Sequence, residues 1–272
     1  MPEAVGFVGA GKMGGPMVER LLGGGLEVHL FARRPQVRER FAGLGAVIEE
    51  SVAAVARSAG TLIVCPFNEE QLDQIAGGPD GLMANAAPGA IVVQHATVSV
   101  ARVTGLAAAG AARGVEFLDA PVSGTAEAIL AGRLTVLVGG EQAARERAEP
   151  TLRAYGSPVI PTGGVGTATT VKLVNNLLFA AHVQTAGAAA ELAAALGIEP
   201  GRLLTAVAAC SGNSFALSVL GQSGDVGQFA ERAAPYLRKD VAVAERVAAE
   251  LGIGTGLLGQ IVHGGPFPLA EP

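Results

Sequence analysis

A glycine-rich turn near the amino terminus constrains the fold of this chain more than any other feature. The turn, G-A-G-K-M-G at residues 9–14, follows an apolar run at residues 5–8 and precedes an amphipathic stretch at residues 17–22. This order predicts a strand, a tight turn and a helix whose first unpaired amides face a pyrophosphate. The pattern alone also occurs in flexible loops, and the flanking strand and helix favour the dinucleotide site. The predicted cofactor contacts are Gly9, Ala10, Gly11, Lys12, Met13 and Gly14.

The composition is that of an ordinary globular protein with two domains. The chain has 272 residues, of which 50% are hydrophobic, and a net charge of −5. We expect no nucleic-acid partner, because the chain lacks a block of Lys and Arg. We also expect no membrane contact and a cytoplasmic location, because no apolar run approaches the roughly 18 residues of a membrane span and no signal peptide precedes the first strand. Cys65 and Cys210 lack C-x-x-C spacing and are interpreted as small apolar fillers, and four scattered histidines predict no metal site.

Hydrophobic periodicity divides the chain near Gly163. Before this point β-rich runs alternate with helical stretches, which predicts an α/β fold with a Rossmann-type, doubly wound, mostly parallel sheet in residues 1–162. After it only helical periodicity remains, which predicts an all-α domain in residues 163–272 led by a long interdomain helix at residues 167–196. The predicted strands are 5–8, 28–31, 62–65, 91–95, 116–118, 134–138 and 158–160; the other predicted helices are 69–75, 100–112, 142–154, 200–209, 227–234 and 236–251; residues 264–268 are expected to fray.

Two arginines follow the second predicted strand. A site that prefers NAD usually has an Asp or Glu there, about 20 residues past the glycines, bonded to the ribose hydroxyls. Arg33 and Arg34 occupy that place. Guanidinium groups bind a 2′-phosphate bidentately, so the exchange predicts a preference for NADP, with NADPH favoured over NADH. The alternative is a pair of solvated arginines that begins a surface helix.

Two further motifs carry polar residues that could perform chemistry. D-A-P-V-S-G-T at residues 119–125 follows a predicted strand at the carboxyl edge of the sheet, where the Ser123 hydroxyl and nearby amides could bind a carboxylate. The P-x-S-G pattern alone is more often only a turn. On the long helix, Lys172 and Asn176 share a face. Apolar neighbours are expected to bury the surrounding circumference and to lower the pKa of the lysine, which predicts a proton carrier beside an orienting amide. The alternative is a snorkelling surface lysine. The neighbours are Val171, Leu173, Val174, Leu177, Leu178 and Phe179.

With these motifs the chain resembles the β-hydroxyacid dehydrogenases, the family of 3-hydroxyisobutyrate dehydrogenase, tartronate semialdehyde reductase and glyoxylate and succinic semialdehyde reductases. The similarity runs nearly end to end and includes G-F-V-G-A-G-K-M-G-G-P-M, D-A-P-V-S-G, K-L-V-N-N and the pair Lys239-Asp240. It implies a Rossmann domain joined to a helical domain, a cleft between them, and a homodimer or homotetramer built through the helices. It further implies catalysis by Lys172, Ser123 and Asn176, substrate binding by these residues with Gly124 and Thr125, and cofactor contacts from Cys65, Pro66, Thr97, Lys239 and the arginines.

The chain departs from the family pattern at several positions. Q-H-A-T at residues 94–97 stands in place of D-x-S-T, Thr125 replaces a glycine and is expected to add bulk beside the carboxylate site, and Ala168 replaces the last glycine of G-x-G. The leading interpretation is an NADP-dependent enzyme that transfers a hydride between nicotinamide and a small-molecule substrate, a 3-hydroxy acid or semialdehyde. The alternatives are an imine or ketone reductase on the same scaffold, which the lysine disfavours, and a nucleotide-binding module without turnover.

Overall fold

The structure is a computed structural model that describes residues 4–223 and 226–270. Contacts between Cα atoms divide the chain into two compact units, Met1–Lys172 and Leu173–Pro272, and each is described by itself. The boundary expected near Gly163 stays a prediction.

The first unit alternates strands with helices. In chain order its elements are β1 (Ala4–Val8), α1 (Gly14–Gly23), β2 (Glu27–Phe31), α2 (Pro35–Gly43), β3 (Val47–Ile48), α3 (Val52–Ser58), β4 (Thr61–Val64), α4 (Glu69–Ala76), α5 (Leu82–Asn85), β5 (Ile91–Gln94), α6 (Val100–Ala111), β6 (Glu116–Asp119), β7 (Val122–Ser123), α7 (Ala126–Leu130), β8 (Leu134–Gly139), α8 (Gln142–Arg153) and β9 (Gly156–Gly163). The sequence did not predict β3 and β7, because two residues are too few for a recognisable alternation of apolar and polar side chains.

Helices make up the regular structure of the second unit in the part of the chain that the structure describes. The long helix α9 (Thr167–Ala195) starts in the first unit and is followed by α10 (Pro200–Val207), α11 (Phe215–Ser223), α12 (Val226–Glu250) and α13 (Gly256–Gly264). The sequence predicts two helices in place of α12, separated at Pro235, and this prediction is wrong. A continuous buried stripe, formed by Ala234, Leu237, Val241 and Ala244, keeps the helix in one piece although the proline lacks an amide hydrogen.

The strands form one twisted sheet in the order β3-β2-β1-β4-β5-β6-β8-β7, with β9 paired to β8. The pairs from β3 through β6 are parallel, β8 is antiparallel to β6 and β7, and β9 is parallel to β8. Separate apolar clusters cover the two faces: α1, α2 and α8 contribute to one, α3 to α6 to the other. The α/β, doubly wound, mostly parallel fold followed by a helical part is therefore confirmed. This topology brings the carboxyl ends of β1, β4, β5 and β6 side by side.

A buried carboxylate joins the sheet to the start of α9. Asp119, the last residue of β6, is fully buried and accepts hydrogen bonds from the amides of Gly166 at 2.8 Å and Thr169 at 2.7 Å. Burial raises the pKa of this carboxyl, and the two amides act in the opposite direction. Gly139 on β8 leaves room for the contact, because a Cβ there would lie 2.5 Å from the Asp119 Oδ1. The first turn of α9 is therefore fixed to the carboxyl edge of the sheet.

Two other expectations differ from the structure. The segment at residues 264–268 does not fray: Gln184 on α9 donates to the Phe267 carbonyl at 2.7 Å and accepts from the Phe267 amide at 2.9 Å. Gly187 leaves room for the Phe267 ring, with which a Cβ at this position would collide. Cys210 is exposed and is not an apolar filler, whereas Cys65 is partly buried against the core.

Replacing Asp119 with alanine should lower the free energy of unfolding by about 1–3 kcal/mol, because two amides at the start of a helix lose their acceptor. The measurement is chemical denaturation followed by circular dichroism. Asp80→Ala removes an exposed carboxylate and should change stability by less than about 0.5 kcal/mol. Equal effects of the two substitutions would contradict the capping role.

Candidate active site

The three glycines of the turn between β1 and α1 have different surroundings. Gly9 has a φ of +106°, and a Cβ on it would collide with the Cys65 carbonyl oxygen. A Cβ on Gly14 would collide with the Gly9 carbonyl oxygen, whereas one on Gly11 would meet no atom within 4 Å. Gly9 and Gly14 therefore permit close packing of strand, turn and helix. Gly11 leaves its backbone open to an approaching group, as a pyrophosphate requires.

The start of α1 suits an anion. Its N-cap residue is Met13, no side chain caps its first amides, and its first turn contains no acidic residue. Unpaired amides at a helix start carry partial positive charge and bind phosphate. Ala10 and Met13 pack against the apolar cluster on the α1 face, which holds the turn on the sheet. The residues present therefore fit the pyrophosphate of a dinucleotide cofactor.

The end of β2 lies beside this turn and carries the two arginines. Phe31 of β2 pairs with Val8 of β1, and Arg33 and Arg34 are exposed two and three residues later. A third guanidinium, on Arg38, is held close by: its Nε donates to the Ala32 carbonyl at 2.6 Å and it lies over the Phe31 ring. Arg38 was not among the residues expected from the sequence, although it lies only four residues after Arg34, the N-cap residue of α2.

Cys65, Pro66 and Thr97 follow β4 and β5 at the same edge of the sheet. The Cys65 amide extends the ladder by donating to the Val8 carbonyl at 2.9 Å, and Pro66 is buried. Thr97 is partly buried in the turn before α6. That turn is fixed because the amide and the hydroxyl of Ser99 both donate to the Glu69 carboxylate, at 2.9 and 3.0 Å. Hydrogen bonds therefore fix the segments that carry these residues at the carboxyl edge of the sheet.

The turn that carries Ser123 lies after β6 at this edge. Ser123 ends β7 and is partly buried, and Gly124 has a φ of +143°, which a residue with a side chain rarely adopts. Thr125 has an extended backbone and caps α7, because its hydroxyl oxygen accepts from the Ala128 amide at 3.3 Å. A hydrogen bond from the same hydroxyl lowers the pKa of Glu127. The Thr125 side chain, which was expected to add bulk beside the carboxylate site, therefore has its hydroxyl hydrogen-bonded to the first turn of α7.

Lys172 and Asn176 lie one turn apart on α9, and both are buried, with 9% and 6% of their surface exposed. Leu173 and Leu177 are buried as expected. The expectation that apolar neighbours cover most of the circumference is wrong for three residues that are 41–56% exposed: Val171, Val174 and Leu178. Burial of the lysine therefore comes from one side of the helix.

The second unit contains a polar network around Asn176. Its Nδ2 donates to Asp240 at 2.7 Å, and its Oδ1 accepts from Asn175 at 3.2 Å. Asp240 also pairs with Lys239, with 3.3 Å between Nζ and Oδ1. Both ends of the Asn176 amide are thereby fixed, and one N–H of Nδ2 remains for a further acceptor. Lys239 and Asn176 are site residues expected from the sequence, whereas Asp240, which contacts both, was not expected to have a role.

Among residues 4–223 and 226–270, no group of three His, Cys, Asp or Glu side chains is arranged to hold a metal ion. In the same ranges, no helix combines the length and the apolar character needed to cross a bilayer.

Two family models match adjoining parts of the chain. Residues 4–165 match the NAD binding domain of 6-phosphogluconate dehydrogenase. Residues 166–263 match the model described as NAD-binding of NADP-dependent 3-hydroxyisobutyrate dehydrogenase. The first match covers the sheet with the glycine turn, and the second begins just before α9.

Characterised proteins are similar over most of the chain. The 2-(hydroxymethyl)glutarate dehydrogenase of Eubacterium barkeri is 29% identical over 266 residues, which covers 96% of this chain and 88% of that protein. The L-threonate dehydrogenase of Cupriavidus necator is 32% identical over 216 residues, which covers 79% of this chain and 73% of that protein.

Solved structures give the same result. The 3-hydroxyisobutyrate dehydrogenase of Mycobacterium tuberculosis, solved with L-serine, superposes with a TM-score of 0.86 at 25% identity, covering 97% of this chain and 92% of that one. An imine reductase of Streptomyces aurantiacus superposes with a TM-score of 0.70 at 16% identity, covering 96% and 92%, and shares the fold alone. The family models and the relatives together show that this chain belongs to the β-hydroxyacid dehydrogenase family, NAD(P)-dependent oxidoreductases that act on CH–OH groups.

Proposed function

We propose that the chain is an NADP-dependent enzyme that interconverts a small 3-hydroxy acid and the corresponding semialdehyde, with Lys172 as general acid/base. The observation that carries the proposal is the placement of Lys172. It is a buried lysine three residues after Thr169, whose amide is bonded to Asp119 at the start of the Ser123 turn. When bound, the nicotinamide supplies the hydride acceptor or donor.

The proton steps fall to Lys172 and Asn176. In the oxidation direction, Lys172 Nζ takes the proton from the substrate hydroxyl, and in the reduction direction it returns a proton to the carbonyl oxygen. Asn176 orients that oxygen with the N–H that Asp240 leaves available. Because both residues share one face of a single helix, their spacing is set by the helix itself.

The substrate carboxylate is assigned to the turn after β6. The Ser123 hydroxyl and the amides of Gly124 and Thr125 are donors on successive residues of one turn, an arrangement that binds anions. A Cβ at Gly124 would lie 3.1 Å from Leu134 Cδ1, which is closer than an ordinary van der Waals contact, and the φ of +143° would be strained for a residue with a side chain. This assignment implies that the substrate has a carboxylate near the carbon that exchanges the hydride. Relatives named as dehydrogenases of 2-(hydroxymethyl)glutarate and L-threonate support it.

The preference for NADP is assigned to Arg33 and Arg34. In the described part of the chain, neither side chain forms a hydrogen bond or an ion pair, so both guanidinium groups are available to a 2′-phosphate. The description of the second matching family model, which names an NADP-dependent enzyme, supports this assignment. Lys239, Thr97, Cys65 and Pro66 are proposed cofactor contacts because of their family motifs or positions.

We also propose that the chain assembles as a homodimer or homotetramer through its helical unit and resides in the cytoplasm. Support for assembly comes from large apolar side chains of this unit that are 45–69% exposed: Leu192, Leu196, Ile198, Leu251, Ile253 and Leu257. Exposed apolar side chains in such number are typical of protein interfaces.

A substrate panel with both cofactors tests the reaction. NADPH oxidation should be fastest with small semialdehydes such as tartronate or succinic semialdehyde or with glyoxylate, and slow with cyclic imines. With the substrate so identified, Lys172→Ala should lower kcat by about 10²–10⁴ while the Kd for NADPH stays within about twofold. Lys172→Arg is the matched control: it keeps the charge but cannot release a proton at neutral pH, and should be equally slow. Turnover by either variant close to the wild-type rate would remove the mechanism.

Arg33→Ala should raise the Kd for NADPH about tenfold or more and leave the Kd for NADH unchanged, because it removes a charge-assisted bond to the 2′-phosphate alone. Fluorescence titration of both cofactors measures the ratio. Arg153→Ala, on α8, removes an exposed arginine paired with Glu149 and should leave both values unchanged. A constant ratio of NADPH to NADH affinity in both Arg33→Ala and Arg34→Ala would refute the assignment.

Asn176→Ala and Asp240→Ala should each lower kcat/KM by about tenfold or more, since either change frees or removes the orienting amide. If Asp240 acts through Asn176, the double variant should lose no more than the more impaired single variant. Additive losses in this double-mutant cycle would mean that Asp240 acts independently of Asn176.

A further inference from the structure

We infer that His95, together with Tyr155, is a positioning residue for the proposed reaction: its imidazole joins the turn after β5 to the turn after β6 and so fixes Thr97 relative to Ser123. The inference rests on the proposed function of these two turns. His95 occupies the variable second position of the Q-H-A-T segment, between Gln94 and Ala96, the two residues that depart from the family pattern D-x-S-T.

The hydrogen bonds of His95 define its tautomer. Nδ1 lies 2.5 Å from the Ala120 carbonyl oxygen, which can only accept, so Nδ1 carries the proton. Nε2 of a neutral ring must then accept, and the Tyr155 hydroxyl lies 2.8 Å away as the donor. Burial lowers the pKa of His95 to about 4, so the ring is neutral near pH 7. Both ring nitrogens are therefore committed to structural bonds.

The imidazole acts where the strand ladder ends. β5 and β6 pair up to Gln94 and Asp119, and the Ala120 amide then donates to the Gln94 carbonyl at 2.7 Å. His95 supplies the next link through its side chain, to the carbonyl of the same Ala120. Thr97 lies two residues beyond His95, and Ser123 lies three residues beyond Ala120. The ring therefore continues the pairing of two strands into the turns that carry proposed site residues.

Tyr155 contacts the imidazole from the core. It is fully buried in the apolar cluster to which α1, α2 and α8 contribute, and its ring meets the imidazole edge-on with centroids 5.7 Å apart. Burial raises the pKa of its hydroxyl well above the usual value, which keeps it protonated as a donor. A buried donor or acceptor that loses its partner is costly, so each bond restrains the others.

Three variants separate the bonds. His95→Phe keeps a ring and loses both hydrogen bonds, Tyr155→Phe loses only the hydroxyl, and His95→Asn keeps an amide donor for the Ala120 carbonyl. His95→Phe should lower kcat/KM for the substrate about tenfold or more, because both turns are displaced. The Kd for NADPH should change less than kcat/KM, because Thr97 is only one of the proposed cofactor contacts and the glycine turn after β1 does not contact His95. His95→Asn should recover most of that loss. His263→Phe, an exposed histidine paired with Glu245, is the matched control and should retain wild-type kinetics.

A role in stability alone gives a different result. His95→Phe would then lower the melting temperature but leave kcat and KM of the folded enzyme unchanged, and His95→Asn would rescue nothing in kinetics. That outcome would overturn the inference.

NMR tests the inference without turnover, so its failure is distinguishable from failure of the proposed function. Nitrogen-15 spectra of the wild-type protein should show His95 as the neutral tautomer with the proton on Nδ1. In the Tyr155→Phe variant, the Nε2 signal of His95 should shift, because the hydroxyl that donates to it is absent. The backbone amides of Thr97, Ser123 and Gly124 should shift in His95→Phe and stay in place in His263→Phe. A proton on Nε2, or unmoved amides, would refute the positioning role even in an active enzyme. A wild-type chain that shows these signals but converts no hydroxy acid would contradict the proposed function instead.

Discussion

The carboxylate of Asp119 is the contact on which the arrangement of the proposed site depends. A strand end and a helix start are separate elements, and a chain segment of more than forty residues lies between them. Two hydrogen bonds from one buried carboxylate bring them together, and the alternative, two amides and a carboxylate buried without partners, is costly. Because Lys172 follows Thr169 by three residues, fixing this helix start also fixes the height of Lys172 above the carboxyl edge of the sheet.

The carboxyl edge is built from turns that are held by neighbouring turns. The Gly9 turn packs on the Cys65 carbonyl, the Ser99 turn is held by Glu69, and the Ala120 turn is held by His95. Each turn is therefore held by a group at a neighbouring strand end or helix start and not by its own short length alone. These contacts between neighbouring turns provide the fixed geometry that hydride and proton transfer require, since small displacements of reacting groups strongly reduce the rate.

The sequence was sufficient for features that depend on local order. The alternation of strands and helices, the turn at residues 9–14 and the long helix starting at Thr167 follow from periodicity and glycine chemistry, and the structure agrees with all three. It was insufficient where partners are distant in the chain. The bond from Asp119 to Thr169 spans 50 residues and that from His95 to Tyr155 spans 60, and periodicity carries no information about such pairs. The break predicted at Pro235 was wrong for a related reason: burial of one face of α12 keeps the helix continuous although proline disfavours a helix interior.

The same distant contacts narrow the choice of proton carrier in the first unit. Asp119 is buried, but each of its oxygens accepts a hydrogen bond from a backbone amide. Protonation of the carboxylate would weaken these hydrogen bonds, which fix the first turn of α9. His95 is buried, but its neutral ring donates at one nitrogen and accepts at the other, and a pKa of about 4 keeps it from exchanging protons near neutrality. An ammonium has three donor hydrogens, so Lys172 can keep a structural partner and still offer a proton to a substrate oxygen. The structural roles of Asp119 and His95 therefore support the proposal that Lys172, and neither of these two groups, carries the proton.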